Sequence, residues 1–203
     1  AGFEVEYIGV DRHCHLDVDR LEAALSEDTI LISIMGVNNE AGTMMPIGEI
    51  ARMKDEYNKV HGTKIWLHSD AVQALGKIPV NVKKEWQGVD FISASGHKIH
   101  GPKGIGVMYV RKGINIEPFM AGGGQERHMR SGTENTPGII GFGLAAKMAS
   151  ESFAERTAAM AAARNYLLEG IRREISDVVV NSPEDETCCP SVLNVSFMGT
   201  RGE

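Results

Sequence analysis

The residues best suited to do chemistry are a lysine and an aspartate that each follow a short apolar segment. Lys98 lies in the polar, glycine-rich run 93–104, directly after the apolar residues 89–92. Asp70 closely follows a second apolar run at 65–67. A lysine amine can hold an aldehyde as an imine, and a carboxylate can keep a pyridine nitrogen protonated so that the ring withdraws electrons. The pair therefore predicts pyridoxal 5'-phosphate (PLP) as a cofactor.

Each of these residues also has an ordinary structural explanation. Most lysines lie on the surface, and Asp70 could cap a helix that continues through the residues after it. Ser95 and His97 flank Lys98 and could donate hydrogen bonds to a phosphate dianion, which needs several donors, although His97 could also be a hydrogen-bonded core histidine. The Ser-Gly-His before Lys98 and the Gly-Pro-Lys-Gly after it favour the functional interpretation.

Two other lysines, Lys77 and Lys103, lack such a setting and are interpreted as structural. The His13-Cys14-His15 cluster is interpreted as a surface loop, because no second pair of ligands follows at the spacing of a metal site. The sequence therefore predicts no metal centre.

The elements that must position Lys98 and Asp70 alternate between strand and helix. The spacing of apolar residues predicts strands at 3–10, 29–35, 64–67, 90–94 and 104–110, and helices at 17–25 and 46–57. The run 29–35 is almost continuously apolar, which is typical of a strand buried on both faces. The alternation predicts an α/β fold, a mostly parallel sheet with helices on both faces. Ligands of such sheets bind beyond the carboxyl ends of the strands, so Asn38, Asn39, Asp70 and Lys98 should lie at one edge.

The composition changes after residue 135. Residues 136–175 are rich in alanine and leucine and predict helix, interrupted early by Gly138, Gly141 and Gly143 and weakly bent near 157–160. Strand-like runs at 178–180 and 192–197 follow. We interpret residues 1–135 as part of a cofactor-binding large domain, and residues 136–203 as a linking helix and the beginning of a small α+β domain.

Charge and composition exclude several classes of function. The 203 residues are 42% hydrophobic and 24% charged, with a formal net charge of −6, which argues against nucleic-acid or anionic-membrane partners. No apolar run approaches the roughly 20 residues of a membrane-spanning helix. The three cysteines give no disulfide framework and favour a reducing, cytoplasmic location. The first residues include neither an initiator Met nor a signal pattern, as expected for the middle of a longer protein.

Five motifs, in order, give the chain a family resemblance. They are Asn38-Asn39-Glu40, His68 to Gln73, Ser95 to Lys98, Gly101 to Gly104, and Gly122 to Arg127 with Arg130 to Thr133. The chain resembles the cysteine desulfurases, NifS-type PLP enzymes of fold type I that are similar to class V aminotransferases and include the selenocysteine lyases. The resemblance implies an incomplete fold-type I large domain in which the last strand, at 104–110, is antiparallel.

The resemblance also implies roles for residues at the site. Lys98 would hold the PLP aldehyde, and Asp70 would contact the ring nitrogen. Gln73 would approach the phenolic oxygen of the ring, and Asn39 would make a second polar contact to cofactor or substrate. Thr133 would reach the phosphate in the other subunit of a homodimer. Relatives also carry a histidine at the position of His68, which is interpreted as structural support.

The activity implied by the resemblance is removal of sulfur from L-cysteine. The products would be L-alanine and an enzyme-bound persulfide, whose sulfur passes to an acceptor protein such as an iron–sulfur scaffold. In relatives, a phosphate loop and a ring-stacking histidine precede the segment that matches Ala1, and the sulfur-accepting cysteine follows the strand that matches 193–197. Cys188 and Cys189 do not match that cysteine. The chain by itself is therefore expected to be inactive and to hold PLP weakly.

Three alternatives remain open from the sequence. A selenocysteine lyase would share the same motifs, as would another fold-type I PLP enzyme such as an aminotransferase. A third possibility, of a different class, is a non-catalytic scaffold that binds no cofactor.

Overall fold

The computed structural model describes residues 2–201, which form a four-stranded and a two-stranded sheet. In the larger sheet β1 (Leu31–Met35), β2 (Trp66–Asp70) and β3 (Phe91–Ser95) run parallel, and β4 (Gly106–Val110) pairs antiparallel with β3. This order confirms the mostly parallel sheet and the antiparallel last strand. The smaller sheet pairs β5 (Val178–Val180) with β6 (Val195–Phe197), also antiparallel.

Four α-helices accompany the sheets within residues 2–201. They are α1 (Val18–Ala24), α2 (Ile47–His61), α3 (Thr136–Glu151) and α4 (Phe153–Glu174). Asp17 caps α1 by accepting a hydrogen bond from the Arg20 amide, and α2 ends at Gly62 in a left-handed conformation, which glycine adopts without strain.

The long helical segment breaks at Ser152, which differs from the prediction. Gly138, Gly141 and Gly143 all lie inside α3, and residues 157–160 lie inside α4. A glycine costs a helix only about 1 kcal/mol, so flanking helix formers carry the helix through it. At Ser152 the backbone amide and the hydroxyl both donate to the carbonyl of Met148, and this local bonding accompanies the break.

Helix α2 covers one face of the larger sheet. Its apolar residues Ile47, Ile50 and Ala51 are buried against side chains of the sheet that include Ile32 and Leu67. Burying a large aliphatic side chain contributes about 1.5–3 kcal/mol, so this layer fixes the position of α2 over β1 and β2.

A buried lysine joins α2 to two strands. The Lys54 ammonium donates to the carbonyl of Gly88 at 2.9 Å and lies 2.9 Å from the Asp90 carboxylate and 2.7 Å from that of Asp55. The same oxygen of Asp90 accepts the backbone N–H of Leu67 in β2 at 2.8 Å. A buried charge requires such partners, and here they link α2, β2 and the start of β3.

Two predictions about strands are wrong. Residues 3–10 form no strand, and their one ladder contact is an isolated bridge between Val10 and Leu16. The run at 29–35 is not buried on both faces, because β1 is an edge strand that alternates between buried Ile32 and exposed Leu31 and Met35. An apolar sequence favours a strand in both segments. Among the described residues, however, no strand pairs with 3–10, and nothing covers the second face of β1.

A search of residues 2–201 for a helix long and apolar enough to cross a membrane finds none.

Candidate functional site

Lys98 lies on a short 3-10 turn, Gly96–Ile99, that continues directly from β3. The turn is anchored by its buried ends: Ile99 packs with Phe142 and Ala145 of α3, and a Cβ on Gly96 would lie only 3.0 Å from the side chain of Ile105. His97 and Lys98 between them are exposed. The protein thus presents the amine to solvent from a fixed backbone.

Ser95 and His97 lie beside Lys98 and contact each other. The Ser95 hydroxyl and Nδ1 of His97 are 2.7 Å apart, a hydrogen-bond distance. The two side chains therefore form a small donor group adjacent to the lysine, suited to an anion such as phosphate.

Asp70 is the last residue of β2 and lies next to β3. Its partner in the register is Ser93, and its backbone carbonyl accepts the amide of Gly36 at 2.7 Å. Its Oδ1 accepts the Val72 amide at 2.8 Å, so the carboxylate closes a turn rather than capping a continuous helix. The side chain is exposed, and its Oδ2 has no hydrogen-bond partner within residues 2–201. One carboxylate oxygen is available to a ligand.

His68 joins three strands on the same sheet face as Asp70. Its Nδ1 lies 2.8 Å from the Ser33 hydroxyl on β1, and its Nε2 lies 3.2 Å from the Ser93 hydroxyl on β3. Burial lowers the pKa of His68, and the negative charge of Asp70 partly opposes that shift. The imidazole is therefore neutral at pH 7, which fits the supporting role predicted for it.

Gln73 is held by Lys77, which the sequence indicates as a structural lysine. Its carbonyl Oε1 accepts a hydrogen bond from the Lys77 ammonium at 2.6 Å. Residues 71–77 form turns that pack on the Lys98 turn, since a Cβ on Gly76 would lie 3.1 Å from the side chain of Ile99. The spacing of four residues between Gln73 and Lys77 could have drawn attention to this contact.

Asn39 and Thr133 are less closely tied to this group. Asn39 follows Asn38, whose side-chain oxygen accepts the amides of Glu40 and Ala41 and thereby shapes the loop after β1. Asn39 itself is exposed. Thr133 is exposed on the segment between β4 and α3, and within the described part of the chain it makes no hydrogen bond to the Lys98 turn.

The cysteines near the second sheet are poorly suited to act as nucleophiles. Cys188 and Cys189 are both buried, and burial raises the pKa of the Cys188 thiol. Since the thiolate is the reactive form, this environment disfavours reaction. Across residues 2–201, no group of His, Cys, Asp and Glu is arranged to hold a metal ion.

The donor set fits PLP. Lys98 has an exposed amine that could hold the aldehyde, and Asp70 has an available carboxylate oxygen that could face the ring nitrogen. Ser95 and His97 have polar groups that could contact the phosphate. Adjacent elements carry all four residues: β2 carries Asp70, and β3 with the turn that follows it carries Ser95, His97 and Lys98.

A mostly parallel sheet with an aspartate at the end of one strand and a lysine just after its neighbour is an arrangement that suits a PLP-dependent transferase. The family model for class-V aminotransferases matches residues 1–203. The chain belongs to the class-V aminotransferase family. Use of PLP is a property that this family implies.

The curated relatives that match are cysteine desulfurases. The chain is 45% identical over 202 residues to "Cysteine desulfurase IscS" of Dictyoglomus turgidum, covering 100% of this chain and 49% of the relative. It is 43% identical to "Cysteine desulfurase IscS" of Methanosarcina thermophila, covering 100% and 48%. The chain therefore spans about half the length of the curated relatives it matches.

Solved structures agree with these relatives. A "NifS-like protein" superposes with a TM-score of 0.91 at 42% identity, over 98% of this chain and 52% of that one. DndA from Streptomyces lividans gives a TM-score of 0.86 at 35% identity, over 99% and 55%. SspA in complex with cysteine gives 0.78 at 34% identity, over 97% and 52%.

Proposed function

We propose that the protein carrying this chain is a PLP-dependent cysteine desulfurase, which converts L-cysteine to L-alanine and transfers the sulfur to a thiol. The observation that carries the proposal is the exposed Lys98 amine on an anchored turn, one strand away from the available carboxylate of Asp70. Relatives named as cysteine desulfurases, and a structural neighbour solved in complex with cysteine, support the same substrate.

Each side chain at the site would have a distinct role. PLP, when bound, supplies an electron-withdrawing ring that weakens bonds at the substrate carbon attached to nitrogen. Lys98 would hold the aldehyde and would move a proton at the substrate Cα. Asp70 would stabilise the positive charge at the ring nitrogen. Ser95 and His97 would donate to the phosphate, and Asn39 would provide a further polar contact.

The sulfur step requires a second thiol. A cysteine thiolate of the enzyme would attack the substrate sulfur and form a sulfur–sulfur bond. The electron pair of the broken carbon–sulfur bond would stay with the substrate Cβ, which takes up a proton, so that the products are alanine and an enzyme persulfide. We assign this role to neither Cys188 nor Cys189, because both are buried and the pKa of Cys188 is raised. An acceptor protein, such as an iron–sulfur scaffold, would take the persulfide sulfur onward.

We further propose that the protein is a homodimer in which Thr133 completes the phosphate site of the partner. Thr133 is exposed, as are Phe119 and Met120 in the same segment. In this proposal residues 1–135 belong to the large domain, and 136–203 link to and begin the small one.

The first experiment locates the imine. Reduction of the PLP-loaded protein with borohydride, followed by peptide mapping, should place the pyridoxyl group on Lys98 and leave Lys103 unmodified. Lys98→Ala should abolish both the adduct and alanine formation, whereas Lys103→Ala should retain both. An adduct on Lys77 or Lys103 would contradict the assignment, and absence of any bound PLP would favour a non-catalytic scaffold.

The second experiment identifies the substrate. L-cysteine and L-selenocysteine are supplied separately, and alanine is measured with sulfide or selenide released by a thiol reductant. We expect turnover with L-cysteine. Turnover confined to L-selenocysteine would instead show a selenocysteine lyase.

The third experiment tests the shared site. Mixed dimers are prepared from one Thr133→Ala subunit and one Lys98→Ala subunit. If Thr133 acts across the interface, one site carries both defects and the other is intact, so a site with full PLP affinity should be present. If it acts within its own subunit, every site is defective, and no such site is found.

A further inference from the structure

We infer that Lys77 is a positioning residue, which holds Gln73 so that its amide presents an N–H donor to the cofactor site. The inference rests on the proposed function, because it concerns the same site. Lys77, which the sequence alone indicates as structural, thereby gains a role at the cofactor site.

A charged hydrogen bond joins Lys77 to Gln73. The Lys77 ammonium donates to Oε1 of Gln73 at 2.6 Å, a short charge-assisted hydrogen bond, and both side chains are partly buried. An ammonium group has three donors and no acceptor, so it can bind only the carbonyl side of a glutamine amide. Lys77 therefore fixes which end of the Gln73 amide faces it.

The contact with Lys77 leaves the amino end of the Gln73 amide available to a ligand. With Oε1 bound to Lys77, the Nε2 amino group is directed elsewhere, and it has no hydrogen-bond partner within residues 2–201. A ligand that meets Gln73 must therefore offer an acceptor. The phenolic oxygen of PLP, which carries negative charge when ionised, is such an acceptor.

Gln73 and Lys77 lie on a turn next to the one that carries Lys98. The turn that carries Gln73 and Lys77 begins at Asp70 and packs on the turn that carries Lys98, through the close approach of Gly76 to Ile99. Burial lowers the pKa of Lys77, and the positive charge of Lys98 adds to this shift.

The experiment measures PLP affinity rather than turnover, in the full-length protein, by equilibrium dialysis. Lys77→Met keeps much of the aliphatic stem and removes the donor, so the Gln73 amide is free to turn its oxygen towards the ligand. We expect PLP to bind roughly 10- to 150-fold more weakly, the range of one hydrogen bond to a charged group. Lys77→Arg, which keeps a charged donor, should restore most of the affinity.

Two controls separate positioning from a structural role. In a Gln73→Ala background, Lys77→Met should cause no further loss of affinity. The analogue 3-deoxypyridoxal 5'-phosphate, which lacks the phenolic oxygen, should bind the Lys77→Met protein and the unchanged protein about equally. Borohydride trapping of the same samples reports whether PLP still reaches Lys98.

The outcomes are distinct. Unchanged PLP affinity in Lys77→Met would overturn the inference, as would a loss that persists in the Gln73→Ala background or with the 3-deoxy analogue. Failure of the unchanged protein to form an adduct at Lys98 would overturn the proposed function itself, and with it the cofactor role inferred for Lys77.

Discussion

Replacing Lys54 with methionine should destabilise the protein by about 3 kcal/mol. Methionine keeps the apolar stem but leaves the buried carboxylate of Asp90 without its ammonium partner. Breaking a buried ion pair from one side costs about 3–5 kcal/mol. The lower end applies here, because Asp90 keeps the Leu67 amide at 2.8 Å and the Arg111 guanidinium at 3.4 Å.

The assay is urea unfolding followed by far-UV circular dichroism at pH 7, with the slope compared between variants. Lys59→Met is the matched control, since Lys59 lies in the same helix but is exposed, and it should cost under about 0.5 kcal/mol. In the double variant Lys54→Met/Asp90→Asn, the orphaned charge is gone, so its cost should be less than the sum of the single variants by about 1–3 kcal/mol. A cost for Lys54→Met no larger than that for Lys59→Met would refute this reasoning.

Three further predictions follow from the described contacts. Burial lowers the pKa of His68 in the folded protein, so the contribution of His68 to stability is complete above the pKa of the unfolded chain and is lost as pH falls through the folded pKa. His68→Asn should therefore reduce the decline in the free energy of urea unfolding between pH 7 and pH 5, and an unchanged dependence on pH would contradict this. Arg172→Gln breaks the exposed pair with Glu184 and should leave the unfolding free energy nearly unchanged, whereas a clear loss of stability in denaturant titrations would show an unrecognised role. Gly76→Ala places a Cβ at a residue with a φ of +73° and 3.1 Å from the side chain of Ile99. The substitution should lower the free energy of unfolding by about 1–2 kcal/mol in thermal denaturation and weaken PLP binding, and an unaffected protein would argue against this close packing.

The central part of the site could be predicted because it depends on local sequence and on strand order. Asp70 and Lys98 follow apolar runs, and parallel strands bring the ends of such runs to one edge. The structure places β2 beside β3, so the two residues lie at neighbouring strand ends. Their roles as cofactor residues remain predictions.

Other features depend on long-range contacts that no local pattern contains. Lys54 has the charge of a solvent-facing helix residue, and its burial depends on Asp90, 36 positions away. Residues 3–10 have the composition of a strand, but a strand also requires a partner to pair with. Gln73 and Lys77 have helical spacing although the segment forms turns, so their contact results from the turn geometry.

The exposed edge of β1 has a consequence for handling the protein. Residues 29–35 are uncharged and contain no proline, and the outer backbone groups of β1 are not paired by any other strand of the described sheet. Such an edge is a template for intermolecular pairing, and short uncharged β-formers are the segments that nucleate fibrils. Concentrated samples of this chain should therefore be prone to aggregation through β1, and a lysine in place of exposed Leu31 would act as a gatekeeper against it.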